Sequence, residues 1–551
     1  MNPYYLTTPI YYVNDRPHIG HCYTTVVADI AARFQRLLRG QPLGGGAGQG
    51  RPGPDAVFLL TGTDEHADKV VTSAAAHGVG PQAWADQNSA EFRRAFAFMN
   101  CSYDDFIRTT EPRHKERVGG YIRRLLDSGD IYKGEYTGWY DTGQEEYVTE
   151  TAAKEAGYKS TVSGRPLVRR TEPCYFFRLS AYQDRLQRHI EANPGFVQPE
   201  ARRSEVLGRL RQGLQDVPVS RPVTDDPATQ WGIRMPGDEA HRIYVWIDAL
   251  FNYLTTVDTP ERRHLWPARV HLIGKDILWF HAVIWPALLM GLGEPLPRMV
   301  FGHGWWISEG MKMSKSLGNF IDLERLKAYG DRYSLDALRW YLVTQGPLTG
   351  TDSDFAHAKF VEVYNADLAN GIGNSASRVA NMIAKYFGGK VPDRGGAGAD
   401  GTAHDWPAIV ERCVREAVAA AERFDLGECV RSGIRLVGEV DAYIGITQPF
   451  RLAKQVEAEP AKGAQLAAIL YNCAEALRVA ALLLLPAMPE KMGDLLARWS
   501  SPPAPGVPLA ELARFGGDHG LRPGTEIIKG DALFMRADPA EAAPGSGAAG
   551  S

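Results

Sequence analysis

The sequence predicts a doubly wound α/β domain, split by an inserted subdomain and followed by an all-α helix bundle. Three observations carry this. Short runs rich in β-branched and aromatic residues alternate with helical periodicity through roughly the first 300 residues. A stretch rich in Tyr, Arg and Gly interrupts that alternation. Beyond about Phe355 the strand-like runs stop, and long helical periodicity punctuated by Gly and Pro takes over. At 551 residues the chain exceeds one ordinary core, so two or three domains packed together are expected.

The elements follow in order. A buried strand over Tyr4 to Thr7 leads through a loop at Pro9 and Asn14 into a helix beginning near Gly20. In that helix Val26, Val27, Ile30, Phe34, Leu37 and Leu38 recur at three- and four-residue spacing, which makes one apolar face. The Gly- and Pro-rich stretch from Leu43 to Pro54 reads as a flexible surface insertion. Further strands are expected at Ala56 to Leu60, Phe106 to Thr109, Val270 to Ile273 and Met299 to Phe301, joined by crossover helices into a parallel sheet. The inserted subdomain spans roughly Gly120 to Asp226. From Asp538 onward the chain is too small-residue-rich and polar to pack, and is expected to be disordered.

Composition excludes several classes. Apolar residues make up 44% and charged residues 23%, ordinary for a soluble protein. The net charge of −4 gives no global positive field, so any nucleic-acid contact must use local patches. Arg202, Arg203, Arg209 and Arg211 form one such patch, which also reads as a solvated helix face. No two of the six cysteines stand at the spacing of a zinc knuckle or redox pair, so free thiols are expected. The N-terminus lacks the regions of a signal peptide, and the longest strongly apolar run, Val479 to Leu485, stops at Pro486. A cytoplasmic protein without membrane contact is expected.

Two constellations carry chemistry. His18-Ile19-Gly20-His21 sits where a strand-to-helix turn feeds a helix N-terminus. Unpaired N–H groups and the positive end of the macrodipole favour phosphate there, and Gly20 lets a nucleotide approach the backbone. Taken alone, it also fits two ordinary histidines beginning a helix. Lys312-Met313-Ser314-Lys315-Ser316 places two lysines among small hydroxyl residues on a loop able to close over a triphosphate. Taken alone, it also fits a solvated basic loop.

In this order, separated by a full α/β domain, the two motifs resemble the signature pair of class I aminoacyl-tRNA synthetases. Thr8-Pro9-Ile10-Tyr11-Tyr12, Gly62-Thr63-Asp64-Glu65-His66, Tyr244-Val245-Trp246-Ile247-Asp248-Ala249 and Ile273-Gly274-Lys275-Asp276-Ile277 narrow the resemblance to the methionyl-tRNA synthetase family, from about Pro3 to about Met492. The resemblance implies an enzyme that uses ATP with Mg2+ to activate L-methionine and then charges tRNA(Met). His18, His21, Lys312 and Lys315 would be catalytic; Gly20, Gly274, Asp276, Met313, Ser314 and Ser316 would complete the ATP site. Methionine would lie among Ile10, Tyr12, Trp246, Ala249, Leu250, Tyr253, Ile277 and His281, with Asp64 on the ammonium and Arg221 toward the carboxylate. A thioether gains from aromatic neighbours, and Tyr12 and His281 supply the few polar groups able to test for sulfur. Asn374 and Arg378, one helical turn apart, and Phe450 would read the anticodon; Phe450 stands where the family usually has tryptophan.

The same resemblance divides the chain. Residues 1–119 and 227–301 are the halves of a Rossmann-type catalytic domain, and 120–226 a connective insertion with a degenerate knuckle. The lysine loop and stem-contact region fall at 302–358, the α-helical anticodon-binding domain at 359–530, and a C-terminal segment with a disordered tail at 531–551. In the insertion Asp141, Gln144, Ser160 and Ser163 stand where zinc-containing members place Cys or His. They make a poor tetrahedral site, so no zinc is expected. The absence of an appended dimerisation domain favours a monomer. Synthetases for leucine, isoleucine or valine share both motifs, but an insertion of roughly a hundred residues is short for an editing domain. A catalytically idle paralogue that binds tRNA or senses methionine is the remaining alternative.

Overall fold

The computed structural model describes residues 2–14, 16–45, 52–141, 146–148, 150–161, 164–308, 310–311, 313, 319–396 and 398–544. Tyr4–Tyr12 (β1), Val57–Asp64 (β2), Asp105–Arg108 (β3), Val197–Gln198 (β4), Val270–Gly274 (β5) and Val300–His303 (β6) make one six-stranded sheet in the order β3-β2-β1-β5-β6-β4. Every pairing in it is parallel. Because side chains alternate across a strand, each strand feeds two cores. Tyr4, Leu6, Val57, Leu59, Val270 and Leu272 join one apolar cluster, while Tyr5, Phe58, Leu60 and Ile273 join the other. Strand order reverses between β1 and β5, and in such sheets the crevice outside the strands' carboxyl ends at that point takes ligands.

The span 120–226 is not one body. Its outer part is a four-stranded antiparallel sheet of Glu146–Val148, Ile131–Asp141, Val168–Phe177 and Val217–Pro218, paired in that order. Its inner part belongs to the α/β core: β4 pairs with β6 as the edge of the parallel sheet, and Leu186, Ile190, Val206 and Leu210 join the second cluster. A two-residue strand has no periodicity to read, so sequence patterning places no boundary there. Of the four knuckle positions, Gln144 and Ser163 lie outside the described residues; Ser160 is buried, and its N–H donates to Arg165 O at 2.7 Å. Part of the Leu43 to Pro54 insertion likewise falls outside them.

Helix Ile19–Leu38 (α1) packs on the first cluster and joins the parallel sheet to a bundle of Leu335–Gln345 (α2), Asn374–Phe387 (α3), Trp406–Glu422 (α4), Leu426–Thr447 (α5) and Lys462–Leu484 (α6). The join is polar as well as apolar. Arg339 of α2, 0% exposed, donates to Asp29 Oδ2 of α1 at 2.6 Å and to the carbonyls of Met99 and Ala487 at 2.8 and 3.0 Å. Helix α6 is long enough, at a mean hydropathy of 1.6, to cross a membrane, but 94% of its most apolar stretch is buried in the bundle. A helix enclosed on all sides needs that composition.

The C-terminal segment departs from expectation. Asn365 exchanges hydrogen bonds of 2.9 Å with the backbone of Ala537, and Glu541 pairs with Arg332 while its carbonyl accepts from His357 Nε2 at 3.1 Å. The chain is therefore held past Asp538 as far as Glu541, because backbone and a single carboxylate find partners that apolar patterning does not reveal. The final residues 545–551 lie outside the described set.

Candidate active site

The site grows from the switch point between β1 and β5. At the start of α1, His18 caps the helix: its Nδ1 accepts from Gly20 N at 3.0 Å, and His21 Nδ1 accepts from His18 N at 3.4 Å. Both Nδ1 atoms are thus backbone acceptors, so each neutral ring carries its proton on Nε2. The rings lie 3.9 Å apart at 33°. Burial, with His18 alongside, pushes the His21 pKa well down, so that ring is neutral at pH 7. A Cβ at position 20 would stand 2.9 Å from His18 Cε1; glycine is what lets the ring fold over its own helix start.

These residues line a cavity of about 520 Å³. Ile10 and Tyr12 from β1, Asp64 from the end of β2, and Gly274, Asp276 and Ile277 from the end of β5 line it as well. So do Trp246, Ala249, Leu250, Tyr253 and His281. These sequence-predicted residues from both subsites, some separated by more than two hundred positions, thus face one space. Trp246 stacks on Phe280 at 4.2 Å and meets Tyr12 edge-on at 5.8 Å. A wide helical turn, Phe280–Ile284, supplies Phe280 and His281. His281 Nδ1 donates to Ile277 O at 3.0 Å, which leaves Nε2 to accept from Tyr253 OH at 2.7 Å. Burial lowers the His281 pKa to about 4, so this pair is neutral and suits an uncharged, polarizable side chain.

Asp64 is the opposite case. It is 2% exposed and its Oδ1 has no hydrogen-bond partner. Burial, reinforced by the Asp248 charge, pushes its pKa well up. A buried carboxylate oxygen lining a cavity without a donor is a site for a cation.

Lys312, Ser314, Lys315 and Ser316 lie outside the described residues, but their loop is described at both ends. Ser308 N donates to Met311 O at 2.9 Å, and Asn319 Nδ2 donates to Ser308 O at 3.3 Å. Beyond the loop, Ile19 N donates to Ile321 O at 3.1 Å and Phe320 meets the His18 ring at 5.2 Å. Met313 lines a second cavity of about 250 Å³ whose wall includes His18, Gly20, His303, Trp305 and Phe320, all shared with the first.

Arg221 does not line the cavity. Its guanidinium lies 4.2 Å over the Tyr244 ring, and its Nη1 donates to Ser220 O at 3.0 Å. Asn374 and Arg378 stand at the start of α3, and Phe450, 40% exposed, on the turn Pro449–Leu452, far along the chain from the sheet. Sequence reasoning missed Asn252, Thr24 and His303, which also line the cavity. Thr24 Oγ1 lies 2.8 Å from His303 Nε2 and joins α1 to β6. Their signals were weak: His303 ends β6, the strand next to β5, and Asp248 and Asn252 are polar residues at i, i+4 in an otherwise apolar run.

A family model described as tRNA synthetases class I (M) matches residues 4–157 and 154–380, which places the chain among the class I aminoacyl-tRNA synthetases. The methionine–tRNA ligase of Streptomyces coelicolor is 42% identical over 557 residues, covering 98% of each chain, and that of Bacillus subtilis is 39% identical over 98% of this chain and 79% of its own. The solved structure of Mycobacterium tuberculosis methionyl-tRNA synthetase in complex with methionyl-adenylate superposes with a TM-score of 0.82 at 36% identity, covering 97% of this chain and 100% of that one. The chain belongs to the methionine–tRNA ligase family.

Proposed function

We propose that the cavity activates L-methionine with ATP and passes it to tRNA(Met). The observation that carries this is one continuous space lined both by a histidine-capped helix start and by a buried carboxylate whose Oδ1 has no donor, beside a neutral aromatic pocket. In the first step the methionine carboxylate attacks the α-phosphorus and pyrophosphate leaves. The Nε2–H groups of His18 and His21 donate to phosphate oxygens, and Lys312 and Lys315 approach from the loop. Asp64 holds the ammonium, while Gly274 and Asp276 meet the adenosine. A carboxylate nucleophile is already ionised, so the site needs orientation and charge stabilisation rather than a general base. In the second step the terminal ribose hydroxyl of tRNA attacks the adenylate carbonyl and AMP leaves. Asn374, Arg378 and Phe450 would meet unstacked anticodon bases at the far end.

Mg2+ accompanies the triphosphate as its charge partner. Zinc has no part: the knuckle donors are a carboxylate, an amide and two hydroxyls, and elemental analysis of purified protein should find no stoichiometric zinc. We place the activity in the cytoplasm, on a monomer. The deciding experiment is ATP–pyrophosphate exchange with each of the twenty amino acids. Exchange driven by methionine supports the reading; no exchange, or a preference for leucine, isoleucine or valine, defeats it.

A further inference from the structure

Behind the ammonium end of the cavity lies a carboxylate that the two chemical steps do not use. Asp248, 1% exposed, stands on Val245–Leu250, the short helix that carries Trp246, Ala249 and Leu250 into the cavity wall. Its Oδ2 accepts from His66 Nδ1 at 2.6 Å and its Oδ1 from His114 Nε2 at 2.7 Å. His66 lies two residues past Asp64, on the turn that follows β2. His114, 0% exposed, belongs to Pro112–Asp127, and its Nδ1 lies 3.0 Å from Thr255 Oγ1. Trp231 closes the cluster, edge-on to His66 at 5.6 Å, with its indole N–H on Glu65 O. Burial pushes the Asp248 carboxyl up, but His66 and His114 outweigh it and hold it at about 2, so an anion is retained here.

Apolar side chains would fill such a junction without the desolvation that a buried ion suffers. A carboxylate adds direction: it fixes two N–H donors at set distances and angles, and so fixes the separation of the elements that bear them. On one side of Asp248 is the end of β2 bearing Asp64, with its unpartnered Oδ1; on the other is the helix bearing the side-chain wall. An amino acid bound in this cavity touches both. A misfit of ~1 Å between such groups is worth ~100-fold in a reaction that depends on placement.

We propose that Asp248, held by His66 and His114, is a positioning residue for amino-acid recognition, setting the span between the ammonium carboxylate and the side-chain wall. The proposal rests on the methionine-activating reading of the cavity. It is tested by methionine-dependent exchange with full-length wild type, H114A, H114Q and D248N, each with its melting temperature. Exchange by the wild type comes first, because its absence would defeat the functional reading rather than this inference. H114A should raise the methionine KM ~10-fold with the ATP KM unchanged, and H114Q, whose amide N–H reaches Asp248, should recover most of that. D248N should raise it ~100-fold. An unchanged methionine KM in folded H114A overturns the proposal, as does a parallel rise in both KM values that tracks the loss of melting temperature. Should D248N fail to fold, the H114A and H114Q pair decides the matter by the same criteria.

Discussion

Replacing Asp64 by asparagine should weaken substrate binding and strengthen the empty protein at once. The side chain is 2% exposed, with Oδ1 unpartnered, so an ammonium reaching it forms a charge-assisted hydrogen bond away from water. Removing one partner of such a pair costs about 2 to 4 kcal/mol, which is ~30- to ~1000-fold in the methionine KM. Asp64 has its folded pKa pushed up by burial and by Asp248. Its contribution to stability is therefore present below its unfolded pKa and is lost as pH rises through the folded one. At about pH 8, far above its unfolded pKa, the carboxyl group weighs against the empty fold whether it is buried as an anion or must take up a proton, and a neutral amide removes that burden. The melting temperature of ligand-free D64N should exceed that of wild type at this pH, with the gap closing on acidification. In wild type the methionine KM should rise as pH falls and protonates Asp64, whereas in D64N it should be flat. Exchange kinetics and thermal melts from about pH 5.5 to about pH 8.5 measure all of this. A D64N protein with wild-type methionine KM, or one less stable than wild type when empty, would refute the assignment of Asp64 as a donor-starved cation site.

Three further outcomes are expected. In G20A the new methyl group, 2.9 Å from His18 Cε1, must displace the imidazole; kcat should fall ~10- to ~100-fold with the methionine KM kept, and an unchanged kcat would remove His18 from the phosphate site. Asp336 is 1% exposed with Oδ1 unpartnered, and burial pushes its pKa up to about 6. D336N keeps an acceptor for the Lys491 N–H, so it should gain up to about 3 kcal/mol in urea unfolding at about pH 8 and nothing below about pH 4. K315A should slow adenylate formation ~100-fold or more with little loss of methionine affinity, and single-turnover rates equal to wild type would remove the loop from the first step.

Local pattern fixes local backbone, and that part was legible. Tyr4 to Thr7 and Ala56 to Leu60 read as buried strands because a parallel strand covered on both faces must be apolar at successive positions. Val26, Val27, Ile30 and Phe34 announced α1 through their spacing. The cavity-lining residues were nameable because their motifs resemble those of the methionyl-tRNA synthetase family, and several of those motifs fall at the ends of β1, β2 and β5, beside the switch point between β1 and β5. Other features left no local trace. Val197–Gln198 becomes a sheet edge only because Val300 and Phe301 stand beside it. Arg221, expected beside the substrate carboxylate, lies against Tyr244, an orientation set by the ring it stacks on.

The sequence alone therefore determined the α/β-then-α order, the two charge-bearing motifs and the kind of side chain each subsite offers, because residue type and spacing dictate backbone period and chemical group. Only the tertiary structure decided that Asp64 Oδ1 is buried without a donor, and that His66, His114 and Asp248 meet. Those facts depend on distances between residues as many as 182 positions apart, and such distances exist only once burial has brought separate elements together.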